Sequence, residues 1–102
     1  NKSTFQALAF AINQPVADYI IEGIRDSCEF GVPTRVRGDV VLGSPTRPQV
    51  EPHRSHGCLL GVVTLVDCVE LQNPSRWEWR VGRGRRLPHP PPHPKAAPLF
   101  LV

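Results

Sequence analysis

Five arginines, Arg76, Arg80, Arg83, Arg85 and Arg86, fall within eleven consecutive positions, with Trp77 and Trp79 set among them. Guanidinium forks hold phosphates bidentately and aromatic rings stack on bases. Basic plus aromatic is therefore the composition that a nucleic-acid contact needs. It is also the composition of a solvated strand edge whose charge discourages aggregation. The distribution of charge sharpens the question. Residues 1–75 carry six basic and eight acidic side chains, whereas residues 76–102 carry six basic and one acidic, within a formal total of +3.

Other groups with potential chemistry are weaker. His53 and His56 have H-x-x-H spacing without an evident third ligand, and His89 and His93 lie four apart among prolines. No metal site and no cofactor are expected from them. Cys28, Cys58 and Cys68 are odd in number and show no C-x-x-C spacing. Buried, reduced thiols of a cytoplasmic protein are the expectation. Gly82-Arg83-Gly84 does not read as a phosphate loop, because no helix can follow into Leu87-Pro88. Asp67, inside an apolar run, is expected to be capped by backbone donors rather than to act on a substrate.

The 102 residues suffice for one domain with a modest core. With 40% apolar residues the chain is too apolar for full disorder, and no apolar run is long enough for a membrane helix. No secretory leader is read in the first residues. Phe5 to Ile12 nearly alternates and predicts a first strand. Asn13-Gln14-Pro15 reads as a helix start with a capping side chain and a first-turn proline. Val16, Tyr19, Ile20 and Ile24 follow at helical spacing, and Gly23 is the expected stop. Arg25 to Gly31 leaves the helix, and Val32-Pro33 marks a break. A second strand is expected over Arg35 to Leu42, with Val36, Val40 and Leu42 on one face. Gly43 to Gly57 reads as a loop.

Cys58 to Leu71 is the strongest strand signal, apolar on both faces and long enough to demand a bend near Gly61. A doubly apolar strand favours a closed or nearly closed sheet with the helix outside. Trp77, Trp79 and Val81 alternate with Glu78 and Arg80 as another strand, weakened by Gly82 and Gly84. Leu87 to Pro98 contains Pro88, Pro90, Pro91, Pro92, Pro94 and Pro98, and is expected to form an extended strap. Leu99 to Val102 should pair as a last strand. The fold class expected is α+β: a small β-barrel with one main helix packed outside.

In this order the segments resemble the ASCH domain of the PUA-like superfamily. The Q-P-W-A-type helix start is similar to Gln14-Pro15-Val16-Ala17, and the G-x-K-x-x-E turn to Gly23 through Glu29. The R-G-P strand resembles Arg37 to Leu42. The G-V-V-x-L-V-D strand matches Gly61 to Asp67. The closing pattern resembles Trp79 to Arg86, Leu87-Pro88-His89-Pro90, Lys95-Ala96 and Leu99-Phe100. The resemblance spans nearly the whole chain. It departs where Val16 replaces the helix-start tryptophan, Arg25 the usual lysine and Ala96 a glycine.

The resemblance implies a PUA-like barrel over residues 1–102, closed by a proline-rich strap at 88–98, with a cleft for RNA or a nucleotide. Arg25, Glu29, Arg35, Arg37, Trp77, Trp79, Arg80, Arg83, Arg85, Arg86 and Lys95 would line it. Some relatives hydrolyse the amide of acetylated cytidine with a lysine, a hydroxyl residue and a glutamate near that turn. Here Arg25 would stabilise an oxyanion, Ser27 offer a hydroxyl and Glu29 shuttle protons. Arg25 cannot act as a general base, because a guanidinium does not deprotonate in proteins. A third possibility, of a different class, is a protein-interaction domain that forms a homodimer. The expected setting is cytoplasmic, with no membrane and no metal.

Overall fold

The computed structural model describes residues 8–46, 53–72, 75–92 and 100–101. Six strands and one helix follow in the order β1 (Leu8–Ala11), α1 (Val16–Ile21), β2 (Ser27–Phe30), β3 (Gly38–Ser44), β4 (Cys58–Glu70), β5 (Trp77–Arg86) and β6 (Phe100–Leu101). They build a single sheet ordered β2-β5-β4-β3-β1-β6, in which only β1 and β3 run parallel. The expected barrel is not formed. The sheet stays open between β2 and β6 and is mostly β with one short helix. The doubly apolar character of β4 has another cause. One of its faces meets the α1 core, and the other meets a small cluster of Ala9, Ala11 and Leu59 flanked by Val41 and Leu87.

The helix begins near the expected start, but Pro15 holds the N-cap position rather than the first turn and caps with no side chain. Gln14 is buried, its side-chain oxygen accepts the Asp18 N–H at 3.0 Å, and its amide donates to the Ser55 carbonyl. At the other end Gly23 takes φ +80, and the Ile24 N–H returns to the Tyr19 carbonyl at 2.8 Å. That closure stops the helix and sends the chain directly into β2. This strand is absent from the sequence reading, which took Arg25 to Gly31 as an exit from the helix. Four residues are too few for a periodic signal, and β5 supplies the register that makes them a strand.

The next strand starts later than expected, at Gly38 rather than Arg35. Thr34 Oγ1 accepts the Val36 N–H, and Arg37 donates to the Thr34 and Val36 carbonyls. Residues 34–37 therefore close a local turn. Gly43 and Ser44, expected in a loop, belong to β3.

Strand β4 bends where Gly61 indicated. Leu60 is the extra residue between the pairs Leu42↔Gly61 and Gly43↔Leu59. A second irregularity falls between Leu65 and Asp67. Beside the first bend β4 and β5 come close: a Cβ on Gly61 would clash with the Arg85 carbonyl, and one on Gly84 would lie 2.6 Å from the Val62 oxygen. Gly84, which weakens β5 as a sequence signal, is what lets it continue past Val62 to Arg86. The start of the strap lies along β4, with the Leu59 N–H donating to Pro91 and Cys58 bridging Pro92. Residues 93–99, including Lys95, lie outside the described residues.

The core sits between the sheet and α1. Phe10, Ile20, Leu42, Leu60, Leu65 and Trp79 are all fully buried there. Trp79 stacks against Phe30 with centroids 4.3 Å apart and against Phe10 at 5.6 Å.

Candidate ligand-binding cleft

Strand alternation decides which side chains reach the face opposite α1. On β2, Cys28 and Phe30 turn toward the core, leaving Ser27 and Glu29 outward. On β5, Trp79 and Val81 turn inward, leaving Glu78 and Arg80 outward. The irregularity in β4 lets two successive residues, Val66 and Asp67, both face out, and Val66 is 57% exposed. Together these elements form a cleft of about 320 Å³ lined by Asp26, Ser27, Val66, Glu78, Arg80 and Val81.

Opposed charges run across this face. Arg80 Nε donates to Glu78 Oε1 at 2.8 Å, and its Nη1 stands 4.0 Å from Asp67 Oδ2. The Glu78 hydrogen bond, followed by the charges of Glu78 and Asp67, raises the Arg80 pKa further above its ordinary value. Arg37 Nη2 approaches the other Asp67 oxygen at 3.6 Å. Asp67 also accepts the Cys68 N–H at 2.8 Å, as its place in an apolar strand suggested. Arg76 pairs with Glu29 at 3.5 Å, and Thr64 donates to Asp39.

The predicted site residues divide between the two faces of the sheet. Ser27, Glu29, Arg37 and Arg80 share the cleft face. Arg85, opposite Val62, also points that way. Arg86 faces α1 instead, where it pairs with Asp18 at 2.9 Å and Glu22 at 2.6 Å. Arg25, Arg35 and Arg85 are exposed and have no ion pair among the described residues. The side chain of Arg83 is outside the described residues.

The tryptophans correct the stacking expectation. Trp79 is fully buried and its indole N–H donates to the Val32 carbonyl at 3.0 Å, while Trp77 is half-buried against the core. Trp79 offers no surface to a base. The cleft is also not lined by positive charge alone, because Arg37, Arg76 and Arg80 each stand beside a carboxylate.

Asp26 and Glu78 are cleft residues that the sequence reading did not single out. The alternation of Trp77, Glu78, Trp79 and Arg80 held the signal for Glu78, since a buried tryptophan face implies an outward Glu78. Asp26 had none, because its position depends on the unrecognised β2. Chemically, the cleft offers a hydroxyl, two carboxylates and a guanidinium beside the exposed Val66 side chain. The three cysteines are free, and burial pushes Cys28 up to about 12, against a small opposing effect of Arg25. Among the described residues no group of His, Cys, Asp and Glu converges as a metal site, and no helix is long and apolar enough to cross a membrane.

Against known proteins, no family model matches the chain, and a search of curated proteins finds no match.

Proposed function

We propose that this chain is an ASCH-type binding domain that seats one nucleoside-sized unit, a free nucleotide or a base of single-stranded RNA, in the β2–β5–β4 cleft. One observation carries the reading: the exposed Val66 side chain lies in one cleft with Ser27, Asp26, Glu78 and Arg80. A base needs an apolar surface for its ring and both donors and acceptors for its edge. The volume of about 320 Å³ suits a single unit rather than a strand. Arg25, exposed in the turn before Ser27, is the cation for a phosphate. The sequence resemblance to ASCH domains points to the same Gly23–Glu29 turn.

Few phosphates can be engaged, since three of the arginines on this face already stand beside acids. Affinity for short single-stranded RNA should then fall by about sevenfold or less between ~50 and ~200 mM salt, the value for two phosphates. Calorimetric titration with RNA, nucleotides and acetylated cytidine tests this. Ser27→Ala and Arg80→Ala should each weaken binding. Steep salt dependence with no response to either change would move the contact away from the cleft.

A second reading rests on the hydroxyl and acids meeting there. In amide hydrolysis Ser27 would be the nucleophile or water-holder, Glu78 the proton shuttle and Arg80 the oxyanion partner. Glu78 replaces Glu29 in that role because Glu78, and not Glu29, is among the residues lining the cleft. Acetate release from acetylated cytidine, lost in Glu78→Gln, would select this reading over simple binding.

A further inference from the structure

Strand β2 has β5 on one side and no strand among the described residues on the other. The Asp26 carbonyl accepts the Val81 N–H at 2.9 Å, and the antiparallel register continues through Ser27↔Arg80 to Phe30↔Trp77. Hydrogen-bonded positions alternate in such a ladder. Cys28 and Phe30 therefore aim their backbone groups at β5, as Asp26 does. The N–H and C=O of Ser27 and Glu29 point to the open edge.

The sequence around that edge is self-complementary. Arg25 stands two residues before Ser27 and Glu29 two residues after it. Three large apolar side chains are conspicuously exposed among the described residues: Ile24 at 65%, Val66 at 57% and Val32 at 44%. Ile24 and Val32 bracket β2 at its two ends.

The geometry points to a second copy of this chain as the partner of this edge, with the two β2 strands antiparallel about a two-fold axis at Ser27. This interface is isologous, as two-fold pairing requires. Ser27 then faces Ser27 of the second copy, and Arg25 faces Glu29 of the second copy, twice. Ile24 comes to Phe30 and Val32 at the far end of the opposing strand. Four backbone hydrogen bonds close the seam: two between the Ser27 residues, and one from each Glu29 N–H to the opposing Arg25 carbonyl. The Arg25 N–H is not counted, because it already donates to the Tyr19 carbonyl at 3.1 Å.

The pairing also relieves a conflict within each chain. Glu29 and Glu78 are direct cross-strand neighbours of like charge, an unfavourable arrangement. Arg76 and Arg80 offset it from within, and Arg25 of the second copy adds a third cation. The inference shares Arg25 with the proposed phosphate contact, so the test is made without nucleotide or RNA.

Sedimentation equilibrium of the wild type from micromolar to near-millimolar concentration, beside two reversals and their combination, tests it. The wild type should dimerise. Arg25→Glu and Glu29→Arg should each weaken the dimer by about tenfold or more, since each replaces two attractive cross-strand pairs by two repulsive ones. The double variant should regain most of the wild-type affinity. Both changes are at exposed positions, and circular dichroism checks the fold of each variant. Amide exchange at Ser27 and Glu29 should slow as concentration rises. A wild type monomeric throughout overturns the proposal. So does a dimer indifferent to the single reversals, or a double variant as weak as the singles.

Discussion

The two faces of the sheet hold similar charged groups in different surroundings. On the cleft face, Arg37, Arg80 and Asp67 form a chain of ion pairs whose side chains are 43–51% exposed. On the helix face, Arg54 and Arg86 both reach Asp18, whose side chain is only 9% exposed, at 3.0 and 2.9 Å. Arg54 also lies over the Tyr19 ring at 5.2 Å. Water screens the first set, so those pairs contribute little to stability and can exchange partners when a ligand arrives. The second set ties α1 to the end of β5 and to residue 54, and its carboxylate has little water to fall back on. Similar contacts thus anchor the helix on one side and lie open to water on the other.

The largest expected effect tests the anchoring face through its core. Trp79→Ala removes the ring that packs on Phe10 and Phe30 and should cost about 3–5 kcal/mol in chemical denaturation. Little destabilisation would mean that this tryptophan is not the centre of the inner face.

Asp18→Ala comes next. It leaves Arg54 and Arg86 without their shared carboxylate, and should cost about 1–3 kcal/mol, discounted because both arginines retain contact with water. The pH dependence of stability separates the faces further. Burial pushes the Asp18 carboxyl up, but the Gln14, Arg54 and Arg86 interactions outweigh it and hold its pKa below the ordinary 3.8. A depressed folded value stabilises the protein above 3.8, and that contribution disappears as pH falls through and below it. Between about pH 5 and 2 the wild type should therefore lose stability faster than Asp18→Asn.

Arg80→Ala should leave the denaturation midpoint nearly unchanged, while under the proposed function it weakens ligand binding. A stability loss as large as that of Asp18→Ala would erase the distinction between the two faces. The smallest signal is a rate: in the folded protein Cys68, half-buried, should be alkylated well before Cys28, which is buried with its thiol pKa raised to about 12.

What the sequence disclosed follows from the length of each signal. The thirteen residues of β4 were legible as a long run of β-branched residues and leucine, and β5 from the Trp77–Val81 alternation, in which a period of two repeats. Gly23 was legible because a helix stop has local chemistry, whereas the expected side-chain cap at the start gives way to Pro15. The four residues of β2 repeat the period only twice, and their pairing partner lies some fifty positions away. The cleft inherits that difficulty, since Asp26 and Ser27 enter it only through β2. The same Trp77–Val81 alternation that predicted β5 also implied that Trp79 would be inside. Its placement with the arginines as a stacking residue followed composition rather than direction. The open sheet was hidden because apolar residues on both faces of β4 are equally consistent with a closed barrel and with two separate clusters.

The two irregularities in β4 also bear on how this chain tolerates insertion and deletion. The extra residue at Leu60 inverts which positions face α1, and the one between Leu65 and Asp67 inverts them back. Removing the extra residue at the first bend also removes the inversion, so Val63 and Leu65 keep facing α1. Removing a residue from the regular stretch between the bends has no such compensation and turns one half of the strand to the wrong face. A length change is therefore absorbed at a bend where the same change a few residues away is not.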